Sequence, residues 1–130
     1  MDKKLSATFE VTNWDENPFD EGPALGKLTC AKVTRKYSGD VTGDSNTEWL
    51  MAYSGDGSAT FVGLERIRGT VGDREGTVVL QHTGRYADGA AKGKLEVVPD
   101  SGTGQLSGVA GNGEFLADPN GKVTLQLSFK

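Results

Sequence analysis

The chain has 130 residues, a formal net charge of −4 and one cysteine, Cys30. A single cysteine excludes an internal disulfide, the negative balance argues against nucleic acid or anionic lipid as a partner, and no apolar run approaches the ~20 residues of a membrane span. Glycine occurs 19 times, about twice its usual share, scattered among Val, Thr, Leu and Phe in the manner of a turn-rich β protein.

The first segment, "MDKKLSATFEV", has no apolar signal core. Together with the lone cysteine this gives an expected cytoplasmic location. Period-two alternation predicts a first strand over residues 5–14. The long irregular stretch "DENPFDEGPA" follows, with Pro18 and Pro23, and is expected as a loop over one barrel end. Further strands are expected over 26–38, 41–54, 57–69, 74–87 and 90–98. A last pair covers 103–117, broken by glycines, and 122–130. All four prolines fall in the expected connections. The pairs Gly39-Asp40, Gly55-Asp56, Gly72-Asp73 and Asp88-Gly89 are of the type that two-residue hairpin turns require. About eight antiparallel strands joined this way form one domain, residues 1–130, an all-β closed barrel.

Each two-residue turn fixes which residues face one another, and side chains alternate between the two faces. The four turns pair Glu48 with Gly63, Trp49 with Val62, Gly63 with His82 and His82 with Leu95. One resulting face is mostly apolar, with Ala31, Val33, Tyr37, Leu50, Phe61, Ile67, Val78, Leu80, Tyr86, Leu95 and Val97. The other collects Lys and Arg, so the first is the lumen. It also receives Arg35, Asp44, Asn46, Glu48, Glu65 and His82. An eight-stranded barrel has room inside for side chains or one small ligand.

Glu48, Gly63 and His82 fall in a row, with Glu65 two residues along. Buried charges must pair or neutralise. The cluster therefore reads as a structural plug, as a site that orients a ligand, or as an acid–base pair in an isomerase or cyclase acting on a small apolar substrate. The leading reading is a small apolar ligand lined by Arg35, Glu48, Phe61, Glu65, His82 and Tyr86. No cofactor and no metal site is expected, because one His and two Glu lack any clustered ligand spacing. Catalytic residues stay unassigned. Leu28, Cys30, Trp49, Met51, Tyr53, Val62 and Leu64 fall together on the outer face. A contiguous apolar patch there points to a homo-oligomer interface. Cys30 has no basic partner to activate it and reads as packing.

"DSGTGQLSGVAGNGEF", residues 100–115, has the glycines of a phosphate loop but no helix after them and no GK[ST]. Its stretch "SGTGQLSGVAGNGEF" resembles the glycine strand of the allene oxide cyclase and dirigent barrels. With "ATFEVTNWDENPFDEG", "LTCAKVTRKYSGDVTG", "EWLMAYSGDGSATFVGLERIRGTVG" and "VVLQHTGRYADGAAKGKLEVVPDSGTGQLSGVAGNG", the chain resembles an uncharacterised bacterial family with an allene-oxide-cyclase-like barrel. The resemblance implies that fold and oligomerisation. It implies no activity, and no catalytic residue is carried over from the plant cyclases.

Overall fold

The computed structural model describes residues 2–22, 26–117 and 121–129. Eight strands run β1 Asp2–Asp20, β2 Leu28–Gly39, β3 Val41–Tyr53, β4 Ala59–Val71, β5 Arg74–Ala87, β6 Ala90–Val97, β7 Val109–Ala117 and β8 Gly121–Phe129. Each pairs antiparallel with the next, and β8 returns to β1, so the sheet closes into a barrel. The apolar alternation of each strand points inward, and an eight-stranded barrel is narrow enough for those side chains to fill it. Among the described residues no helix is long and apolar enough to cross a membrane.

The stretch expected as a loop after residue 14 is strand as far as Asp20. β1 continues to Asp20 because it stays paired with β2, through irregularities between Val11 and Asn13 and between Pro18 and Asp20. Its partner on the other side, β8, reaches only as far as Phe9. The second half of β1 is therefore a sheet edge, which tolerates Pro18 because no ladder needs that N–H. Bulges, a proline and the acids Asp15 and Asp20 are the devices that keep such an edge from pairing indiscriminately. Pro18 thus lies in a strand rather than a connection. Pro99 lies in a turn, while Pro23 and Pro119 fall outside the described residues.

Two of the four expected turns have the expected length. Val71 pairs with Arg74 around Gly72-Asp73, and Ala87 pairs with Ala90 around Asp88-Gly89. Asp88 and Gly89 both hold positive φ, 55° and 79°. The other two turns are odd in length. Tyr53 pairs with Ala59, so residues 54–58 form a five-residue loop, tied by the Asp56 carboxylate accepting from the Ser58 N–H (3.0 Å) and hydroxyl (2.6 Å). Asp40 alone separates β2 from β3, held from outside the hairpin. Its N–H donates to Ser6 O, its carboxylate accepts from Ser6 N–H, and its carbonyl accepts from Gly72 N–H. An odd connection inverts the alternation, so β3 sits one residue from its expected register. Trp49 faces Gly63, Glu48 faces Leu64, Ala31 faces Trp49 and Arg35 faces Ser45.

The glycine stretch does not start a strand at residue 103. It covers an edge. β6 leaves β5 beyond the Leu80–Val97 pair, exposing the ladder groups of Glu75, Thr77 and Val79. Side chains spaced two apart take the place of a strand there. Ser101 Oγ accepts from Val79 N–H (3.1 Å), Thr103 Oγ1 from Thr77 N–H (3.1 Å) and Gln105 Oε1 from Glu75 N–H (2.8 Å). A 3-10 turn over Gly104–Leu106 then sinks Leu106 into the core. Gly104 sits at φ 61°, a left-handed conformation that favours glycine.

Candidate functional site

Strands β2, β3, β4 and β5 bring Arg35, Ser45, Glu65 and His82 to one level of the lumen, all buried. Glu65 is the hub. Its Oε1 lies 2.8 Å from His82 Nε2, and its Oε2 accepts from the hydroxyls of Tyr37 (2.6 Å) and Ser45 (2.6 Å). Arg35 Nη1 stands 3.8 Å from the same oxygen and donates to Tyr37 Oη at 3.4 Å. Burial alone would raise the Glu65 pKa. The hydrogen bond from His82, the charge of Arg35, the charge on His82 and the Ser45 hydroxyl outweigh it, and the carboxyl falls to about 2. Burial, followed by the neighbouring Glu65 charge, drives the Tyr37 hydroxyl far above the usual phenol range against the opposing pull of Arg35.

Aromatic rings enclose this network. The Arg35 guanidinium carbon is 4.0 Å from the Phe9 ring centre, 4.7 Å from Trp49 and 5.5 Å from Phe115. Trp49 and Phe115 also meet the His82 ring edge-on, at 5.8 and 5.4 Å. Space for these rings comes from glycine on the neighbouring strand. Trp49 faces Gly63, Phe61 faces Gly84, Phe115 faces Gly93 and Phe9 faces Gly121. A Cβ at any of these glycines would overlap the ring opposite. Part of the glycine surplus therefore lets large rings lie flat against the barrel wall.

Four buried polar atoms have no hydrogen-bond partner among the described residues: Arg35 Nε, Thr47 Oγ1, Trp49 Nε1 and His82 Nδ1. All four side chains are lumenal. With His82 Nε2–H donating to Glu65, Nδ1 is an unmet acceptor in the neutral ring and an unmet donor in the imidazolium.

Above this layer the β1–β2 ribbon carries a second carboxylate. Glu16 accepts from Trp14 Nε1 (3.0 Å), Thr29 Oγ1 (2.7 Å) and the Tyr53 hydroxyl. Burial opposes the shift, but those hydrogen bonds and the Lys27 charge lower the Glu16 pKa. Burial and the bond to Glu16 push Tyr53 up to about 12. Trp14 lies 5.5 Å from the Trp49 ring and closes that side of the mouth.

Of the six expected lumen residues, Arg35, Phe61, Glu65 and His82 are buried inside. Glu48 is not. The one-residue shift of β3 turns it outward, where its carboxylate accepts from the Cys30 thiol at 3.3 Å. Asp44, Asn46 and Leu50 go outward with it, and Ser45, Thr47, Trp49 and Met51 come in. Tyr86, in phase with His82 on β5 but close to the 88–89 turn, is 42% exposed at the barrel rim. Among the expected outer residues, Trp49 and Met51 are core and Tyr53 turns to Glu16 at the mouth. Leu28 and Cys30 are half-buried, and Val62 and Leu64 are exposed. Burial, then the Glu48 carboxylate, raises the Cys30 pKa, the opposite of what a nucleophile needs. Tyr37, expected in the lumen, proves to be part of the network, and Glu16, Ser45 and Thr47 join the site without having been expected there. No group of three or more His, Cys, Asp and Glu able to hold a metal occurs among the described residues.

Fold and site together define a small closed β-barrel with a charged, aromatic-lined network at its centre. The chain belongs to the DUF3224 family of proteins of unknown function, whose profile matches residues 5–129. A crystal structure of a DUF3224 protein of unknown function from Shewanella oneidensis MR-1 superposes with a TM-score of 0.86 at 28% identity, covering 100% of this chain and 99% of that one. No curated protein matches the sequence.

Proposed function

We propose that the chain is a small-molecule-binding barrel. The supporting observation is the set of four unmet polar atoms on lumenal side chains, Arg35 Nε, Thr47 Oγ1, Trp49 Nε1 and His82 Nδ1. A buried polar group without a partner costs about 1–3 kcal/mol, so four among the lumenal side chains favour an occupant that meets them. Two are fixed N–H donors within an aromatic wall. They suit an apolar or aromatic body carrying a carbonyl or carboxylate oxygen. The free thiol of Cys30 agrees with a reducing cytoplasm.

Catalysis by the same cluster has less behind it. Glu65 has both oxygens engaged and, with a pKa of about 2, is a weak base at neutral pH. Glu48, the other carboxylate considered, is outside the lumen.

Native mass spectrometry of protein purified from its host tests the binding reading. A retained small molecule is expected in the wild type and a weakened complex in Trp49→Phe, which keeps a ring but loses the indole N–H. An unliganded mass, with no thermal stabilisation by a panel of apolar carbonyl and carboxylate compounds, would leave only water to meet the four atoms and defeat the reading.

A further inference from the structure

With β3 in its observed register, the outer face of β3 and β4 has the anatomy of an interface, an apolar centre inside a charged rim. Leu50, Val62 and Leu64 are 50%, 46% and 56% exposed and adjoin one another, with Leu50 facing Val62 and Glu48 facing Leu64. They lie along a shallow groove of about 940 Å³ whose rim includes Lys32, Glu48, Arg66 and Arg68. Charge is sorted by strand. The outward acids Asp44 and Glu48 are on β3, and the outward bases Arg66 and Arg68 are on β4. Among the described residues Asp44 and Arg68, although opposite each other, close no ion pair within the chain.

We propose that a second copy of this chain docks on the β3–β4 face through a two-fold axis along the seam between the two strands. Such an axis lays β3 of each copy over β4 of its partner at the same height. Residues that are cross-strand neighbours within one chain then become neighbours between chains. Leu50 of one copy packs on Val62 of the other, and Asp44 of one meets Arg68 of the other, twice over. Leu50 thus meets an apolar side chain and Asp44 a base, while Glu48 and Arg66 fall opposite Leu64 and Asn46 at the rim. A partner of uniform charge would match only one of the two stripes, whereas self-pairing gives Asp44 and Arg68 opposite charges and joins the apolar residues.

Sedimentation velocity at about 100 µM chain and low salt tests this arrangement, since a biological interface of ordinary strength is populated there. The wild type is expected at twice the 13.7 kDa chain mass. Asp44→Arg alone and Arg68→Asp alone each place like charges at both two-fold contacts and should sediment as monomers. Mixed in equal amounts they restore both contacts, and a heterodimer should form. Val62→Lys, at an exposed position, should be monomeric alone and in every mixture, with a far-UV spectrum unchanged from wild type. A monomeric wild type, single charge variants that still dimerise, or a mixture that stays monomeric would each overturn the proposal.

Discussion

Replacing Glu65 with Gln removes the hub of the lumenal network while nearly preserving its shape. In the folded chain the Glu65 carboxyl sits at about 2, against 4.5 for an unperturbed glutamate. Because the folded value is the lower one, the unfolded chain binds the extra proton first as pH drops. The stabilisation is complete above 4.5 and is lost as pH falls toward 2. That difference corresponds to about 3 kcal/mol at neutral pH. The substitution also leaves Arg35 buried with no anion, and breaking a buried pair in this way costs about 3–5 kcal/mol. The two figures describe one interaction and are not summed. Urea unfolding followed by tryptophan fluorescence at pH 7 and pH 3 measures both. Glu65→Gln should lose about 3 kcal/mol or more at pH 7 and much less, relative to wild type, at pH 3. A loss below about 1 kcal/mol at pH 7, or an equal loss at both pH values, would mean that Glu65 is neither paired nor ionised as described.

Gly63→Ala should destabilise by about 1–3 kcal/mol in the same assay, because the new methyl overlaps the Trp49 ring; an unchanged unfolding midpoint would show that Trp49 does not lie on β4. Gly104→Ala should cost about 1 kcal/mol through its left-handed backbone, with faster amide exchange at Glu75, Thr77 and Val79 as the edge cover loosens. Glu16→Gln should lower the Tyr53 pKa from about 12 toward 10.0, stopping short because burial is the larger cause; ultraviolet titration of the phenol reads this directly.

Where the connections are two residues long, residue type alone fixed the pairing. Gly72-Asp73 and Asp88-Gly89 place His82 between Gly63 and Leu95, and the structure has those pairs. Both turns bordering β3 are odd, for reasons local sequence does not carry. Asp40 is recruited by Ser6 and Gly72, which come from other parts of the barrel. Sliding one strand by one residue alters both of its pairings in the same sense, so the two misregistered hairpins remained consistent with each other and with the other two. The available clue was charge. Residues 41–53 contain no Lys or Arg, so moving β3 alone brings Trp49 and Met51 inside and sends Asp44 and Glu48 out without burying any cation. Glu16 was hidden by two prolines that suggested a loop. The edge cover by Ser101, Thr103 and Gln105 was hidden because side chains standing in for a backbone leave no apolar periodicity to read.

His82 is the only histidine in the chain, so the nitrogen-15 spectrum of its ring reports on the lumen without assignment. If the network and its unmet atoms are as described, Nε2 carries a slowly exchanging proton that is lost in Glu65→Gln. Nδ1 then shifts when the molecule carried by native protein is extracted and shifts back when it is returned. A ring whose protons exchange rapidly with water, and whose two nitrogens respond neither to Glu65→Gln nor to extraction, would contradict the lumenal site and the function built on it.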